Sequence, residues 1–357
     1  MNSDPLGHTA LERRLAQIPG ELAGMLVRGL PELKPATLAS RRFIVTGTGS
    51  SEAHARYFCT LVNLFTDRSA TAIPLSAFLN PANQHLRDKT LVVFSQGLSP
   101  NAQIALRRHR DFQHTVVFTS ATPASARAAG KGDRADLISD LAEAGADIIH
   151  FPLSEEYTTL IRFVGPACGY LACLQFAAAL PGCAIDRPRP GQVLPLFELE
   201  PPEDLLEAVL THPGRFARGF NLVSAAPISD FAQNLACKFM EGLFWSCPTL
   251  SDFLQFAHGP FQQATADRHP VVLLQGDLRA EADLVRRSRD MLRGVGLDAY
   301  VVQVPASMLF SIFGFEHVFN RIVYRAMAHF GVDQVNWPGK GRDDFLYGFC
   351  RDESGAF

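Results

Sequence analysis

The sequence predicts an α/β protein with two halves, each formed by a parallel sheet between helices. The first observation is length, because 357 residues correspond to about two domains of ordinary size. The second is an alternation of short apolar runs with longer helical patterns, which is typical of parallel sheets. The third is a stretch rich in proline and glutamate at 186–204, which separates two series of runs and is interpreted as a linker.

Seven apolar runs predict the strands of the two sheets. They are continuous rather than alternating, as expected for strands covered on both faces, and they lie at 42–47, 90–95, 115–120, 147–153, 221–225, 270–275 and 299–304. Helical patterns lie at 9–29, 51–66, 99–109, 155–180, 229–244, 278–296 and 307–331. We predict one domain with the opening helix at 1–195 and a second domain with the C-terminal tail at 196–357.

Composition excludes several classes of protein. With 47% hydrophobic and 19% charged residues the chain is not disordered. A formal net charge of -3 disfavours general binding to nucleic acids or anionic membranes. The seven cysteines are scattered and form no Cys-x-x-Cys pair, which argues against a zinc ribbon or a disulfide scaffold. Together with a charged N-terminal segment that does not resemble a signal peptide, this predicts a cytoplasmic protein.

One uncharged segment is long enough to span a bilayer. It runs for 22 residues from Val164 to Ile185. Prolines, glycines and Gln175 interrupt it, and its residues are small rather than leucine and isoleucine. A buried helix therefore explains the segment better than a membrane-spanning one.

Two predicted strands end in segments of glycine and hydroxyl residues. The segment at 46–53 reads TGTGSSEA, and the segment at 95–102 reads SQGLSPNA. In parallel sheets, ligands bind beyond the carboxyl ends of the strands, where helix N-termini offer N–H groups to anions. A serine-capped turn would also explain the first segment, and helix capping explains the Ser-Pro pair of the second. Ser95 and Gln96 are not needed for capping, so the two segments together indicate a phosphate site without a metal.

A scarce lysine and an acid share one predicted helix. Arginine supplies most of the positive charge, since the chain has only five lysines. Lys238 and Glu241 are three residues apart and lie on one helix face. A surface ion pair worth well under about 1 kcal/mol would explain them, but their apolar neighbours predict partial burial, where proton transfer becomes practical. His258 lies in a His-Gly-Pro turn, where a structural role and a titrating role are both open.

Six short motifs, taken in order, resemble those of the double sugar-isomerase (SIS) domain proteins: TGTGSSEA, SQGLSP, EYTT, KFMEG, FAHGP and VDQVNWPGK. Within that family the chain is most similar to the isomerase half of glucosamine-6-phosphate synthase and to stand-alone aminosugar-phosphate deaminases and deglycases. The resemblance covers about residues 10–345. It implies two flavodoxin-like domains in a homodimer, with a phosphosugar bound by the first domain and catalytic groups supplied by the second.

The resemblance also implies roles for individual residues. Glu241 would carry a proton between C1 and C2, and Lys238 would assist it. His258 would open the sugar ring, in the synthase from the neighbouring subunit, and Lys340 would engage the ketose carbonyl. These roles suit aldose–ketose exchange, which needs a base, an acid/base at the ring oxygen and an amine or cation at the carbonyl. Arginine cannot become that amine, which gives a reason for lysine at this position.

For substrate binding, the resemblance implies a set of mostly hydroxyl residues on the two loops and the EYTT motif: Ser50, Ser51, Ser95, Gln96, Ser99 and Thr158. The chain departs from the family in several places, one of which is a longer tail beyond Lys340. The usual Ser-x-Ser-Gly loop is Ser-Gln-Gly here and one residue shorter. Glu155 and Glu156 stand where relatives often carry a lysine, and Gln255 replaces the usual glutamate before the histidine.

We therefore expect an enzyme that needs no cofactor or metal and that isomerises or deaminates a phosphorylated sugar or aminosugar through an enediol or enolamine. Two alternatives stay open, a catalytically silent phosphosugar sensor and an aminating subunit that takes ammonia from a separate glutaminase. Amide transfer from glutamine by this chain alone is not expected, because the chain starts with Met-Asn rather than a nucleophilic cysteine. The expected partners are the phosphosugar and a second copy, without nucleic acid or membrane.

Overall fold

A computed structural model describes residues 4–80, 86–152 and 156–349. They form two compact units that interleave along the chain. The first-sheet unit consists of residues 24–80, 86–152, 168–188 and 338–349. The second-sheet unit consists of residues 4–23, 156–167 and 189–337. The predicted boundary between 195 and 196 falls between the two sheets, and as a domain division it stays a prediction.

Strands and helices alternate over most of the chain. The strands are β1 (Arg42–Thr46), β2 (Ser69–Ala72), β3 (Thr90–Phe94), β4 (His114–Thr119), β5 (Asp147–His150), β6 (Asn221–Ser224), β7 (Thr249–Asp252), β8 (Val271–Gln275) and β9 (Ala299–Gln303). The helices are α1 (His8–Arg28), α2 (Pro35–Ala39), α3 (Ser50–Phe65), α4 (Pro100–Leu106), α5 (Pro123–Ala128), α6 (Gly132–Glu143), α7 (Val164–Ala179), α8 (Pro190–Val193), α9 (Glu203–Thr211), α10 (Pro213–Ala217), α11 (Ile228–Phe231), α12 (Gln233–Leu243), α13 (Phe253–Phe256), α14 (Pro260–Asp267), α15 (Arg279–Gly294), α16 (Met308–Phe330) and α17 (Asp344–Tyr347). Short 3-10 turns lie at Leu75–Leu79, His109–Asp111, Glu156–Thr158 and Leu194–Glu198.

The first-sheet unit contains a five-stranded parallel sheet in the order β2-β1-β3-β4-β5. This is the flavodoxin-like order, in which ligands bind where the strand order reverses, between β1 and β3. Aromatic side chains fill one face. Phe94 and Phe118 are register partners on β3 and β4 and stack with ring centroids 4.3 Å apart. Phe58 of α3 and Phe176 of α7 pack on them, which fixes both helices to this face.

The second-sheet unit contains a four-stranded parallel sheet in the order β7-β6-β8-β9. Apolar residues of β6 and β8 join those of α13, α14 and α15 in one buried cluster, which includes Val223, Phe253, Phe256, Val271, Leu273, Val285 and Leu292. Helix α12 also lies in this unit and packs against the long helix α16. Each unit is thus a parallel sheet flanked by helices, and the predicted fold class is confirmed.

All seven predicted strands are present, and their ends lie within three residues of the predicted ones. The structure contains two further strands that the sequence did not predict. These are β2 and β7, which read SATA and TLSD and so lack a continuous apolar run. Both are edge strands, where partial exposure permits such residues. The linker interpretation of 186–204 was wrong over part of its length. Helix α8 and the following 3-10 turn form there and bury Val193, Leu196 and Phe197 in the second-sheet unit.

Helix α7 accounts for most of the uncharged segment that begins at Val164. Its residues are buried from Val164 to Ala177, as predicted for a core helix. Within the described part of the chain, the helices are too short or too polar to cross a membrane.

A buried carboxylate ties α2 to the first sheet. Asp147 opens β5, and it accepts hydrogen bonds from the Thr37 hydroxyl, the backbone N–H of Lys34 and the ring of His114. Burial alone would raise the pKa of Asp147, but these bonds outweigh burial and lower the pKa below its ordinary value. A lowered carboxyl pKa contributes stability above the ordinary pKa of aspartate, and that contribution is lost as the pH falls through the folded-state pKa.

We expect Asp147→Asn to lower the melting temperature at neutral pH, by a loss of about 1–3 kcal/mol of hydrogen bonding. As the pH falls below the ordinary aspartate pKa of about 3.9, the melting temperatures of variant and wild type should converge, because the wild-type carboxylate becomes protonated on passing through its lowered folded-state pKa. The measurement is thermal unfolding as a function of pH. The control is Asp136→Asn, which changes a side chain that is 72% exposed in the same unit. Parallel curves for wild type and Asp147→Asn would contradict the assignment.

Candidate functional site

The loop after β1 is a tight turn that leads directly into α3. A Cβ atom at Gly47 would lie 2.4 Å from the carbonyl oxygen of Ser51, so only glycine fits there. Gly49 has a φ of +61°, which also favours glycine. Helix α3 then begins at Ser50, and Ser51 is buried in its first turn. The predicted pair Ser50 and Ser51 therefore lies at the N-terminus of a 16-residue helix, where an anion is favoured.

The loop after β3 lies at the same edge of the sheet, because β1 and β3 are neighbours. Ser99 is at the N-cap position of α4 and Pro100 follows it, as predicted, although the Ser99 side chain makes no capping hydrogen bond. Ser95 also has a local structural contact that the sequence did not predict. Its Oγ accepts a hydrogen bond from the Ser99 N–H at 3.3 Å, so it stabilises the turn. The Gln96 carbonyl accepts hydrogen bonds from the hydroxyl group of Thr119, the last residue of β4, and from the N–H of Ser120.

A cavity of about 400 Å³ opens at this edge in the first-sheet unit. It lies between the β1 loop, α3, the 3-10 turn after β2, α4 and the C-terminal tail, and its polar lining includes Thr46, Thr48, Glu52, Arg56, Ser76 and Asn101. Leu346 and Phe349 of the tail line it too, and Asn101 donates a hydrogen bond to the Leu346 carbonyl at 2.9 Å. The five substrate-binding residues predicted on the two loops are not among its lining residues. The sequence did not predict that Leu346 and Phe349 of the tail line this cavity, because the tail carries no family motif.

In the second-sheet unit, α12 carries the predicted acid. Glu241 keeps part of its surface exposed, and burial of the rest raises the pKa of its carboxyl group. The positive charges of Lys238 and Arg162 oppose this effect and lower the pKa in part. The structure thus brings Lys238 within electrostatic reach of Glu241, and it adds Arg162, which the sequence did not single out. With its pKa raised, the Glu241 carboxylate is a stronger base than that of an ordinary glutamate.

Lys238 is buried, as its apolar neighbours predicted, but its ion-pair partner is not Glu241. Its Nζ lies 2.8 Å from Oε2 of Glu316 on α16, and the two side chains are 2% and 0% exposed. The contact is an ion pair without hydrogen-bond geometry at these two atoms. Asn234, one turn before Lys238 on α12, donates a hydrogen bond to the other oxygen of Glu316 at 2.5 Å. Glu316 was missed because it lies in a helix whose pattern indicated only core.

The EYTT motif has a structural role in the second-sheet unit. The buried Arg14 of α1 donates hydrogen bonds to the hydroxyl groups of Thr158 and Thr159 at 2.7 and 2.5 Å. Glu156 accepts three backbone N–H groups at the start of α7, where a carboxylate is favourable. Glu156 is therefore a helix cap rather than a replacement for a phosphate-binding lysine. Glu155 lies outside the described residues, and Thr158 keeps its predicted binding role only as a proposal.

Two residues, Gln334 and Gly242, determine how α12 is held in this unit. Gln334 is fully buried, and its side-chain nitrogen donates to the carbonyl oxygens of Glu241 and Gly242 at 3.0 Å each. Its side-chain oxygen accepts the N–H of Ile161 at 3.1 Å. At Gly242 a Cβ atom would lie 2.3 Å from a methyl group of Val323 on α16. Gly242 therefore allows the close approach of α12 and α16, and this feature of the KFMEG motif was not predicted.

The other two predicted catalytic residues, His258 and Lys340, are both exposed. His258 is exposed in the turn between α13 and α14. Among the described residues, no hydrogen bond or ion pair joins His258 to Lys238 or Glu241. Lys340 is exposed and belongs to the first-sheet unit. The roles of both residues stay predictions.

Cys237, one turn before Glu241 on α12, is a buried thiol. Burial raises the pKa of the Cys237 thiol to about 11, and the charges of Glu241 and Cys247 add to the rise. Cys237 is thus a thiol rather than a reactive thiolate at neutral pH. Over residues 4–80, 86–152 and 156–349, no three His, Cys, Asp or Glu side chains come together as a metal site requires.

Comparison with known proteins finds similarity in structure only. The sequence matches no family model and no curated protein. Among solved structures, a Silicibacter pomeroyi protein provisionally named a phosphosugar isomerase has a TM-score of 0.69 at 17% identity, over 91% of this chain and 99% of that one. The C-terminal domain of glucosamine-fructose-6-phosphate aminotransferase from Francisella tularensis has a TM-score of 0.70 at 11% identity, over 91% and 97%. Glucosamine-6-phosphate deaminase from Thermotoga maritima has 0.62 at 16%, over 93% and 96%. The chain thus has the double-SIS fold, and the resemblance is confirmed at that level.

The close approach at Gly242 predicts a specific pattern of stability. We expect Gly242→Ala to lower the free energy of unfolding by about 1–3 kcal/mol, because the new methyl group overlaps Val323. Adding Val323→Ala should recover part of that loss. The double variant should therefore lose less free energy of unfolding than the two single variants lose together. Gly294→Ala in α15 is the control, since its methyl group would meet open space. Equal effects of the two glycine substitutions would contradict the close contact.

Proposed function

We propose that the chain is a cofactor-independent isomerase or deaminase of a phosphorylated sugar or aminosugar. The observation that carries the proposal is Glu241, a carboxyl group with a raised pKa beside a buried ammonium group, in a chain with the double-SIS fold. One structural neighbour with this fold is provisionally named a phosphosugar isomerase, and another is named glucosamine-6-phosphate deaminase. These names support the substrate class.

Glu241 is the proton carrier in this proposal. As a carboxylate it removes a proton from C1 or C2 of the open-chain sugar, which leaves an enediol or enolamine, and it returns the proton to the adjacent carbon. Burial makes Glu241 a stronger base than an ordinary glutamate. The positive charges of Lys238 and Arg162, which act on Glu241, would also offset negative charge that develops on the sugar as the proton leaves. His258 would open the ring and Lys340 would polarise the carbonyl or form an imine with it.

The phosphate is assigned to the two loops at the carboxyl edge of the first sheet. Ser50 and Ser51 lie at the N-terminus of α3, and Ser95, Gln96 and Ser99 lie on the neighbouring loop. Hydroxyl and backbone N–H donors of this kind suit a dianion without a metal. The cavity beside the β1 loop has the volume of a small-molecule site.

Glu241→Gln tests the proton carrier. We expect the variant to lose turnover and exchange of the sugar proton, because the amide cannot act as the base. Binding of the sugar phosphate should stay within a few-fold of wild type, since the amide is nearly isosteric. The measurements are solvent-deuterium incorporation and ligand-induced thermal stabilisation. An unchanged kcat would remove Glu241 from the mechanism, whereas a wild type that binds without exchange would indicate a sensor.

Ser95→Ala tests the phosphate assignment. We expect mainly a higher KM, from about 1–3 kcal/mol of lost hydrogen bonding to the phosphate. The Ser95 hydroxyl also accepts the N–H of Ser99, so loss of this bond can loosen the turn that presents the other donors. Steady-state kinetics give KM and kcat, and Ser288→Ala, a buried serine of α15, is the control. An unaltered KM would mean that the phosphate binds elsewhere.

A further inference from the structure

The contact between α12 and α16 contains a buried charge pair that the proposed chemistry does not require by itself. Lys238 and Glu316 are 2% and 0% exposed, and their charged atoms are 2.8 Å apart. Asn234 donates to the second oxygen of Glu316, and the aromatic ring of Phe163 lies 5.8 Å from the Lys238 nitrogen. The buried ammonium group thus has a carboxylate at ion-pair distance and the Phe163 ring nearby.

Burial of this kind opposes charge on both partners. Removing an ammonium group from water favours the neutral amine, and the effect is large for a fully buried lysine. A carboxylate at ion-pair distance compensates for the lost hydration, so each partner keeps the other charged. Lys238 is one turn before Glu241 on α12, which places the ammonium on the face that carries the proposed base.

We propose that Glu316 is a positioning residue that holds the Lys238 side chain in its charged form and in place beside Glu241. The inference rests on the proposed function and deepens it. Glu316 touches neither the substrate nor the proton being moved in this proposal, and it acts through Lys238.

The other charged groups around Glu241 do not replace this pair. Arg162, which follows the EYTT motif, is the second cation whose charge reaches Glu241, and it also lies over the ring of Tyr157 at 4.4 Å. The thiols of Cys237 and Cys247 face Glu241 as well, and both are neutral because burial raises their pKa. Of these groups, Lys238 is the cation with a fully buried carboxylate partner.

The kinetic test compares Glu316→Gln with Lys238→Met. In Glu316→Gln the amine is buried without its carboxylate and is expected to become neutral, so Glu241 loses a nearby positive charge, as it does in Lys238→Met. Both variants should therefore need a higher pH to keep Glu241 deprotonated. On the acidic limb of the pH profile, kcat should fall by roughly ten-fold relative to its value at the optimum, with KM little changed. Glu316→Asp, which keeps the charge, should recover part of the wild-type profile.

Two further variants separate this role from folding. Lys238→Met combined with Glu316→Leu replaces the pair by apolar groups, which is often neutral or stabilising, and its pH profile should match that of Lys238→Met alone. Glu281→Gln changes another buried glutamate of the same unit, one that accepts the Gly276 N–H. It should alter stability without moving the pH profile. A Glu316→Gln profile that overlays wild type, or that moves to lower pH, overturns the proposal.

A spectroscopic arm is independent of turnover. With ¹³Cε-labelled lysine the full chain gives only five lysine signals, and Lys238→Met assigns one of them. In Glu316→Gln the Lys238 signal should move to the position of a neutral amine at a pH where the wild-type signal is that of an ammonium. If it does so while no sugar phosphate is turned over by wild type, the proposed function fails and the Glu316 role in holding the charge stands. If wild type is active and the signal does not move, the Glu316 proposal fails alone.

Discussion

The chemistry proposed for the second-sheet unit depends on a charge pair that is buried in a close contact between two helices. α12 and α16 approach closely because Gly242 has no side chain where Val323 packs. That approach removes Lys238 and Glu316 from water, and neither could stay charged there alone. Burying the pair therefore costs folding free energy, which the apolar contacts around it offset. The pair does not by itself stabilise the fold. Its value lies in the charge that it keeps next to Glu241.

Proton transfer at carbon requires a base that is stronger than an ordinary carboxylate but is not locked in its protonated form. Partial burial raises the pKa of Glu241, and the charges of Lys238 and Arg162 limit the rise. Gln334 fixes the backbone on which Glu241 stands, through its bonds to the carbonyl groups of Glu241 and Gly242. The charge of Lys238 and the hydrogen bonds of Gln334 thus both act on α12, which links the packing of this unit to its proposed chemistry.

Much of the fold could be predicted from the sequence because buried parallel strands read as continuous apolar runs. The edge strands β2 and β7 escaped this signal, since edge positions allow Ser, Thr and Asp. At the candidate site, the Lys238 and Glu241 spacing was enough to place both on one helix face. The partner of Lys238 could not be predicted, because Glu316 is 78 positions away in the chain and its helix otherwise reads as core. Glu156 is the opposite case, because it belongs to a motif that predicted a functional role, yet its side chain caps α7.

The central claim is that this chain moves a proton between neighbouring carbons of a phosphorylated sugar. Incubating the wild-type chain in D₂O with a panel of hexose, heptose and aminosugar phosphates, followed by NMR at C1 and C2, tests it most directly. We expect at least one sugar to acquire deuterium at one of these carbons without any added cofactor. A panel in which sugars stabilise the protein thermally, yet none acquires deuterium, would contradict it.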